Sequence, residues 1–163
     1  MAEPLHVHAH HANCLGCGPD NPGTLGLSFV VADERVHAQL RLEQRHEGAP
    51  GFAHGGAVAT ALDDTLGTLL VVLRRPAVTA RLEVDYRRPV FVDRGYTVEA
   101  WIEEVDGRKL HLAAAMRDEE GQTVAEARAV FLEVSLEHFL QGGRELPERV
   151  RRHWADREPE LPY

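Results

Sequence analysis

The sequence predicts an α+β domain in which one six-stranded antiparallel sheet wraps around one long central helix. Three observations predict it. Strand-like segments occur twice before residue 43 and four times after residue 76. Between them lies one apolar stretch, residues 56–74, too long for a strand and free of proline. That stretch is apolar around nearly its whole circumference, so other structure must cover it on every side.

Residues 1–23 read as a lead and a turn, and residues 24–134 as the domain itself. "TLGLSFVV" (24–31) and "RVHAQLRL" (35–42) are strands joined by the turn "ADE". Val36, Ala38, Leu40 and Leu42 alternate with Arg35, His37, Gln39 and Arg41, the period of a half-buried strand. "EQRHEGAPGFAHGG" (43–56) is rich in Gly and Pro and reads as a loop. The helix follows from Gly56, and Arg74-Arg75, facing its negative dipole end, and Pro76 stop it. Four strands in meander are expected at 77–90, 96–105, 110–118 and 123–134. Residues 135–163 are charged, with three prolines, and read as a short helix, "SLEHFLQ", followed by a loosely attached tail. One sheet cannot cover all of such a helix, so a second subunit is expected to cover the rest.

Composition excludes several functions. A net charge of −8 over 163 residues argues against nucleic acid as the main partner, because phosphate binding needs a basic surface. The pairs Arg74-Arg75, Arg87-Arg88 and Arg108-Lys109 leave room for a local patch that holds a small anion. The opening "MAEPLHVHAHHANC" has no basic end followed by an apolar run, and Ala57–Leu73 is shorter than the ~20 residues of a membrane span. A cytoplasmic protein with no membrane partner is expected. Both cysteines lie in one Cys-x-x-Cys, so no disulfide framework is expected. His6, His8, His10, His11, Cys14 and Cys17 are zinc-ligand types. With no second cysteine pair, and with the histidines in a lead expected to be disordered, no bound metal and no cofactor is expected.

The chemistry is expected at "HGGAVATALDD", residues 54–64. The first amides of a helix have no internal acceptor and lie at its positive end. Glycines there, Gly55 and Gly56, let a ligand oxygen approach the backbone, where the N–H groups can hold an oxyanion. Asp63, inside the same apolar helix, suits either a nucleophile or a general base for water, whereas Asp64 reads as structural. Gly55 and Asp63 are eight residues apart, about 12 Å at ~1.5 Å per residue. One carbonyl can touch both only if two copies of the helix lie antiparallel across a two-fold axis. The expected assembly is a homodimer with two sites, with a dimer of dimers left open.

"GAPGFAHGGAVATALDDTLG", then "VTARLEVDYRRPV", resembles the hotdog-fold thioesterases. The nearest branch is the phenylacetyl-CoA (PaaI-like) group and the mammalian long-chain acyl-CoA thioesterases beside it. "CLGCGPDNPGTLGLSF" extends the likeness over residues 14–134. The resemblance implies a hotdog fold and hydrolysis of an acyl-CoA to a carboxylic acid and free CoA. It implies that the Gly55 N–H holds the thioester carbonyl and that Asp63 is the base or nucleophile. Thr79 would orient the attacking water, and His54 would fix the helix entry. Arg87 and Arg88 are candidate contacts for the CoA phosphates. Some relatives place an asparagine six residues before the histidine as a second carbonyl donor. Gly48 stands there in this chain, which leaves that donor unassigned. Two other readings remain: a hotdog dehydratase or hydratase, whose "HFPG"-type motif is absent, and a non-catalytic acyl-CoA-binding regulatory dimer.

Overall fold

Chain order in the computed structural model, which describes residues 5–143 and 145–155, follows the predicted scheme with additions. Its elements are β1 (Leu5–Val7), β2 (Ser28–Ala32), β3 (Arg35–Leu42), β4 (Glu47–Ala49), β5 (Phe52–Ala53) and α1 (Gly55–Val72). There follow β6 (Ala77–Tyr86), β7 (Arg94–Asp106), β8 (Lys109–Arg117), β9 (Thr123–Glu133), α2 (Leu136–Leu140) and α3 (Glu148–Ala155).

The main sheet is antiparallel and has seven strands, in the order β1-β2-β3-β7-β8-β9-β6. The extra strand is β1, which pairs Leu5 with Val31 and Val7 with Phe29. The lead expected to be disordered is thus tied to the domain, because the edge of β2 offers its backbone a ladder. The expected four-strand meander is also corrected. Only β7, β8 and β9 meander, while β6 lies at the far edge beside β9. Helix α1 packs across the sheet against β3, β7, β8, β9 and β6, so the chain leaving it starts a strand on the edge opposite β1. The loop 43–56 contains a 3-10 turn, Gln44–His46, and the small β4–β5 hairpin, which the loop reading did not foresee.

Sequence alternation decides which face of the sheet is buried. Val36, Ala38, Leu40 and Leu42 all point into the core, as do Val98, Ala100, Leu110, Leu112, Ala114 and Met116. Against them α1 buries Val58, Ala61, Leu62, Thr65, Leu66, Thr68, Leu69, Leu70 and Val72. The helix closes with Arg74 at a left-handed φ of 53°, and Arg75 N–H donates to Leu70 O at 3.0 Å. Leu66 is fully buried at the centre of this packing. Leu66→Ala is expected to destabilise the domain by about 3 kcal/mol. Urea denaturation would read this as a lower midpoint at unchanged slope.

The C-terminal segment is more ordered than a loose tail. Phe139 of α2 and Trp154 of α3 stack at 4.8 Å between ring centroids. His153 Nε2 bonds the Val71 carbonyl at 2.6 Å, and Arg149 donates to the carbonyls of Ala9 and His10. The rest of that expected tail, residue 144 and residues 156–163, lies outside the described residues.

Candidate active site

Helix α1 begins at an exposed mouth. His54 is its N-cap, in extended geometry, and its Nδ1 accepts the Gly56 N–H at 2.9 Å. The Gly56 amide is thus engaged by the cap, while the residue itself stays exposed at the mouth. The Gly55 N–H, the first in the helix, has no acceptor among the described residues. On its other side, the Tyr86 hydroxyl donates to the Gly55 carbonyl at 2.8 Å and fastens the mouth to β6. Sequence reading missed Tyr86. Its only signal was an aromatic at the polar end of a strand.

Two turns into the helix, Asp63 is half-buried, and its Oδ1 accepts the Thr79 hydroxyl at 2.9 Å. A β-bulge makes this contact. Strict alternation along β6 would send Thr79 outward with Arg81 and Glu83, because Leu82 and Val84 face inward. The register instead pairs Thr79 with Phe131 and Arg81 with Val130, leaving Ala80 as the extra residue. Thr79 therefore shares the inner face with Phe131 and reaches the helix. Burial pushes the Asp63 carboxyl above its ordinary range, and the Thr79 bond pulls back against that shift.

Asp64, one position on, points about 100° away around the helix and meets the N-terminal turn. Its Oδ1 lies 3.0 Å from His10 Nδ1 and 3.2 Å from Cys14 Sγ. Burial pushes this carboxyl up too, and the His10 hydrogen bond opposes it. The two adjacent aspartates thus serve different sides of α1.

Other predicted residues fall elsewhere. Arg87 is exposed and pairs with Glu126 at 2.9 Å and with Asp85 at 3.1 Å. Arg88 is exposed just beyond β6, with its N–H on Val124 O at 3.1 Å. Gly48 packs against the helix cap, and a β-carbon there would come within 3.1 Å of His54 Cα. Within one chain, Asp63 and Thr79 meet, whereas Gly55 and Asp63 remain the helix-imposed ~12 Å apart. Two surface grooves, one beside Arg87, Trp101, Glu126 and Arg128 and one beside Gln39, Tyr96 and Asp118, do not include Gly55, Asp63 or Thr79. The stripe of α1 carrying Gly56, Ala59, Thr60, Asp63 and Gly67 is not fully covered by the sheet.

Residues 50–125, which hold the helix mouth, Asp63 and Thr79, match the family model described as the thioesterase superfamily. The acyl-coenzyme A thioesterase THEM4 of Xenopus laevis is 35% identical over 109 residues, covering 66% of this chain and 49% of that protein. The chain spans about half the length of the relatives it matches. Among solved structures, the thioesterase superfamily protein RHA08564 is similar at a TM-score of 0.71 and 28% identity, covering 75% of this chain and 61% of that one. The PaaI protein of the E. coli phenylacetic acid degradation operon shares the fold at a TM-score of 0.64 and 18% identity, covering 67% of this chain and 84% of that one. Motif, family match and fold agree: residues 50–125 belong to a hotdog domain of the thioesterase superfamily.

Proposed function

We propose that the protein hydrolyses the thioester of an acyl-CoA, in a site shared by two copies of the chain. The observation that carries this reading is the Asp63–Thr79 contact on the incompletely covered stripe of a helix whose first N–H has no acceptor among the described residues. The name of the matched THEM4 relative supports acyl-CoA as the substrate class.

Two features support the dimer. Strand β6 is ten residues long and ends the sheet, so one full row of its backbone groups lacks a strand partner among the described residues. The stripe around Asp63 runs along the same side of the molecule, because Thr79 of β6 touches it. A two-fold copy added along β6 covers both, and sets the two α1 helices antiparallel. Gly55 of one copy then faces Asp63 of the other.

In this arrangement the thioester oxygen accepts the Gly55 N–H, and the positive end of α1 stabilises the charge that develops on it. Asp63 of the partner takes a proton from water held by Thr79, and that water attacks the carbonyl carbon. Alternatively, the carboxylate attacks that carbon itself, and water then hydrolyses the resulting mixed anhydride to free Asp63 and the acid. Collapse of the tetrahedral adduct breaks the C–S bond and expels the CoA thiolate, a weak base that leaves readily. The acyl group departs as the carboxylic acid. Arg87 and Arg88, exposed just beyond β6, are the candidate contacts for a CoA phosphate.

Thr79→Val keeps the shape of the side chain and deletes the hydroxyl. Thiol release is expected to fall about 10- to 100-fold, the worth of one hydrogen bond to a charged group. The direct test is thiol release from a panel of aryl, medium-chain and long-chain acyl-CoAs. Turnover of at least one member is expected. Tight binding across the panel with no thiol released would overturn hydrolysis and leave the regulatory reading.

A further inference from the structure

We infer that His10, Cys14, Cys17 and Asp64 form a closed, four-ligand zinc site that fastens the N-terminal turn to helix α1. One donor atom from each residue lies within 4.8 Å of the others. Three come from a single turn before β2, and the fourth comes from the helix fifty positions after Cys14.

The spacing suits a metal. A tetrahedral zinc with Zn–S near ~2.3 Å and Zn–N and Zn–O near ~2.1 Å sets ligand atoms about 3.4–3.8 Å apart. The observed separations are 3.7 Å for Cys14 Sγ to His10 Nδ1 and 3.4 Å for Cys17 Sγ to the same nitrogen. Asp64 Oδ1 lies 3.2 Å from Cys14 Sγ and 3.0 Å from His10 Nδ1. For these four pairs, shifts of a few tenths of an ångström reach that spacing, and the whole donor set lies within 4.8 Å. Both cysteines are free, so no disulfide competes for the sulfurs.

Surrounding hydrogen bonds aim the ligands inward. The Thr68 hydroxyl donates its only proton to the Asp64 carbonyl at 2.8 Å. At 2.9 Å from His10 Nε2, the Thr68 oxygen must therefore accept from that nitrogen. This fixes the proton on Nε2 and turns the Nδ1 lone pair toward the sulfurs, the outer-shell arrangement a metal-ligating histidine requires. The His10 backbone N–H points at Cys17 Sγ at 3.4 Å. Asp64 Oδ2 is buried with no hydrogen-bond partner among the described residues. The turn itself fits only with glycine between the cysteines: a β-carbon on Gly16 would stand 2.3 Å from Asp64 Oδ2. Two sulfurs, one imidazole and one carboxylate favour zinc over magnesium or calcium. Four protein ligands leave no open position, so the ion's role is structural. The inference stands independently of the reaction proposed above.

The test is metal content by elemental analysis of untagged protein, with cobalt(II) substitution monitored by absorption. One zinc per chain is expected, and the cobalt form should show thiolate charge-transfer bands and the intense visible bands of a tetrahedral ion. Both should disappear in the Cys14→Ser/Cys17→Ser variant and persist in the His6→Ala/His8→Ala/His11→Ala variant. A chelator should lower the melting temperature of the wild type and leave that of the cysteine variant unchanged. Metal-free wild type that gives no cobalt–thiolate band would overturn the site. So would metal that follows His6, His8 and His11 instead. The wild-type spectrum decides the matter even if the cysteine variant does not fold.

Discussion

Asp63→Ala is expected to lower thiol release from an acyl-CoA by about 10³-fold or more, the range lost with a general base or an attacking carboxylate. The loss should appear in kcat, with KM little changed, because the proposed role of the carboxylate is on water or on the carbonyl and not on the CoA moiety. The fold should survive. Asp63 is a half-buried carboxyl disfavoured by burial, and its hydrogen-bond partner, the Thr79 hydroxyl, remains partly exposed to water. Its removal should leave the melting temperature unchanged or higher. Unimpaired hydrolysis by a folded Asp63→Ala protein would remove the residue from the mechanism.

The second large effect is expected at Gly55, where a substitution can delete one backbone proton and little else. Proline is favoured at the first position of a helix, since the N–H it lacks has no helical acceptor. His54 precedes it at φ −62° and ψ 135°, the extended region that a residue before proline adopts. A β-carbon on Gly55 would meet the Tyr86 hydroxyl at 3.4 Å, an ordinary contact. Gly55→Pro should therefore fold with α1 intact and lose about 10²- to 10³-fold in kcat, the effect of one oxyanion donor. Gly55→Ala, which keeps the N–H, should stay close to wild type. Equal activity of the proline and alanine variants would show that the Gly55 amide does not hold the carbonyl.

Much of this architecture was legible because it is written locally. Strand β3 follows its alternation to the residue, and α1 follows from an apolar run closed by Arg74, Arg75 and Pro76. What escaped depends on contacts distant in sequence. Strand β1 is three residues long and pairs only because β2 offers an edge, so no periodicity announces it. The place of β6 beside β9 is decided by the path of the helix across the sheet, which alternation does not encode. Thr79 shows the limit most clearly. Alternation alone turns it outward, and only the bulge at Ala80 brings it to Asp63. The family resemblance singled it out where the pattern could not. Asp64 was read as structural, but its partners His10 and Cys14 lie in a segment expected to be disordered, so the cluster was invisible until the fold closed.

The central claim is that each reactive centre draws its carbonyl-holding amide from one copy of the chain and its carboxylate from another. Co-refolding equal amounts of Gly55→Pro and Asp63→Ala, each nearly inactive alone, tests it. Half of the random dimers would be mixed. Each mixed dimer would carry one complete site, with Gly55 from the aspartate variant and Asp63 from the proline variant, and so restore about a quarter of wild-type activity. A mixture that stays as inactive as its two components, with mixed dimers demonstrated, would contradict the claim and place both groups in a single chain.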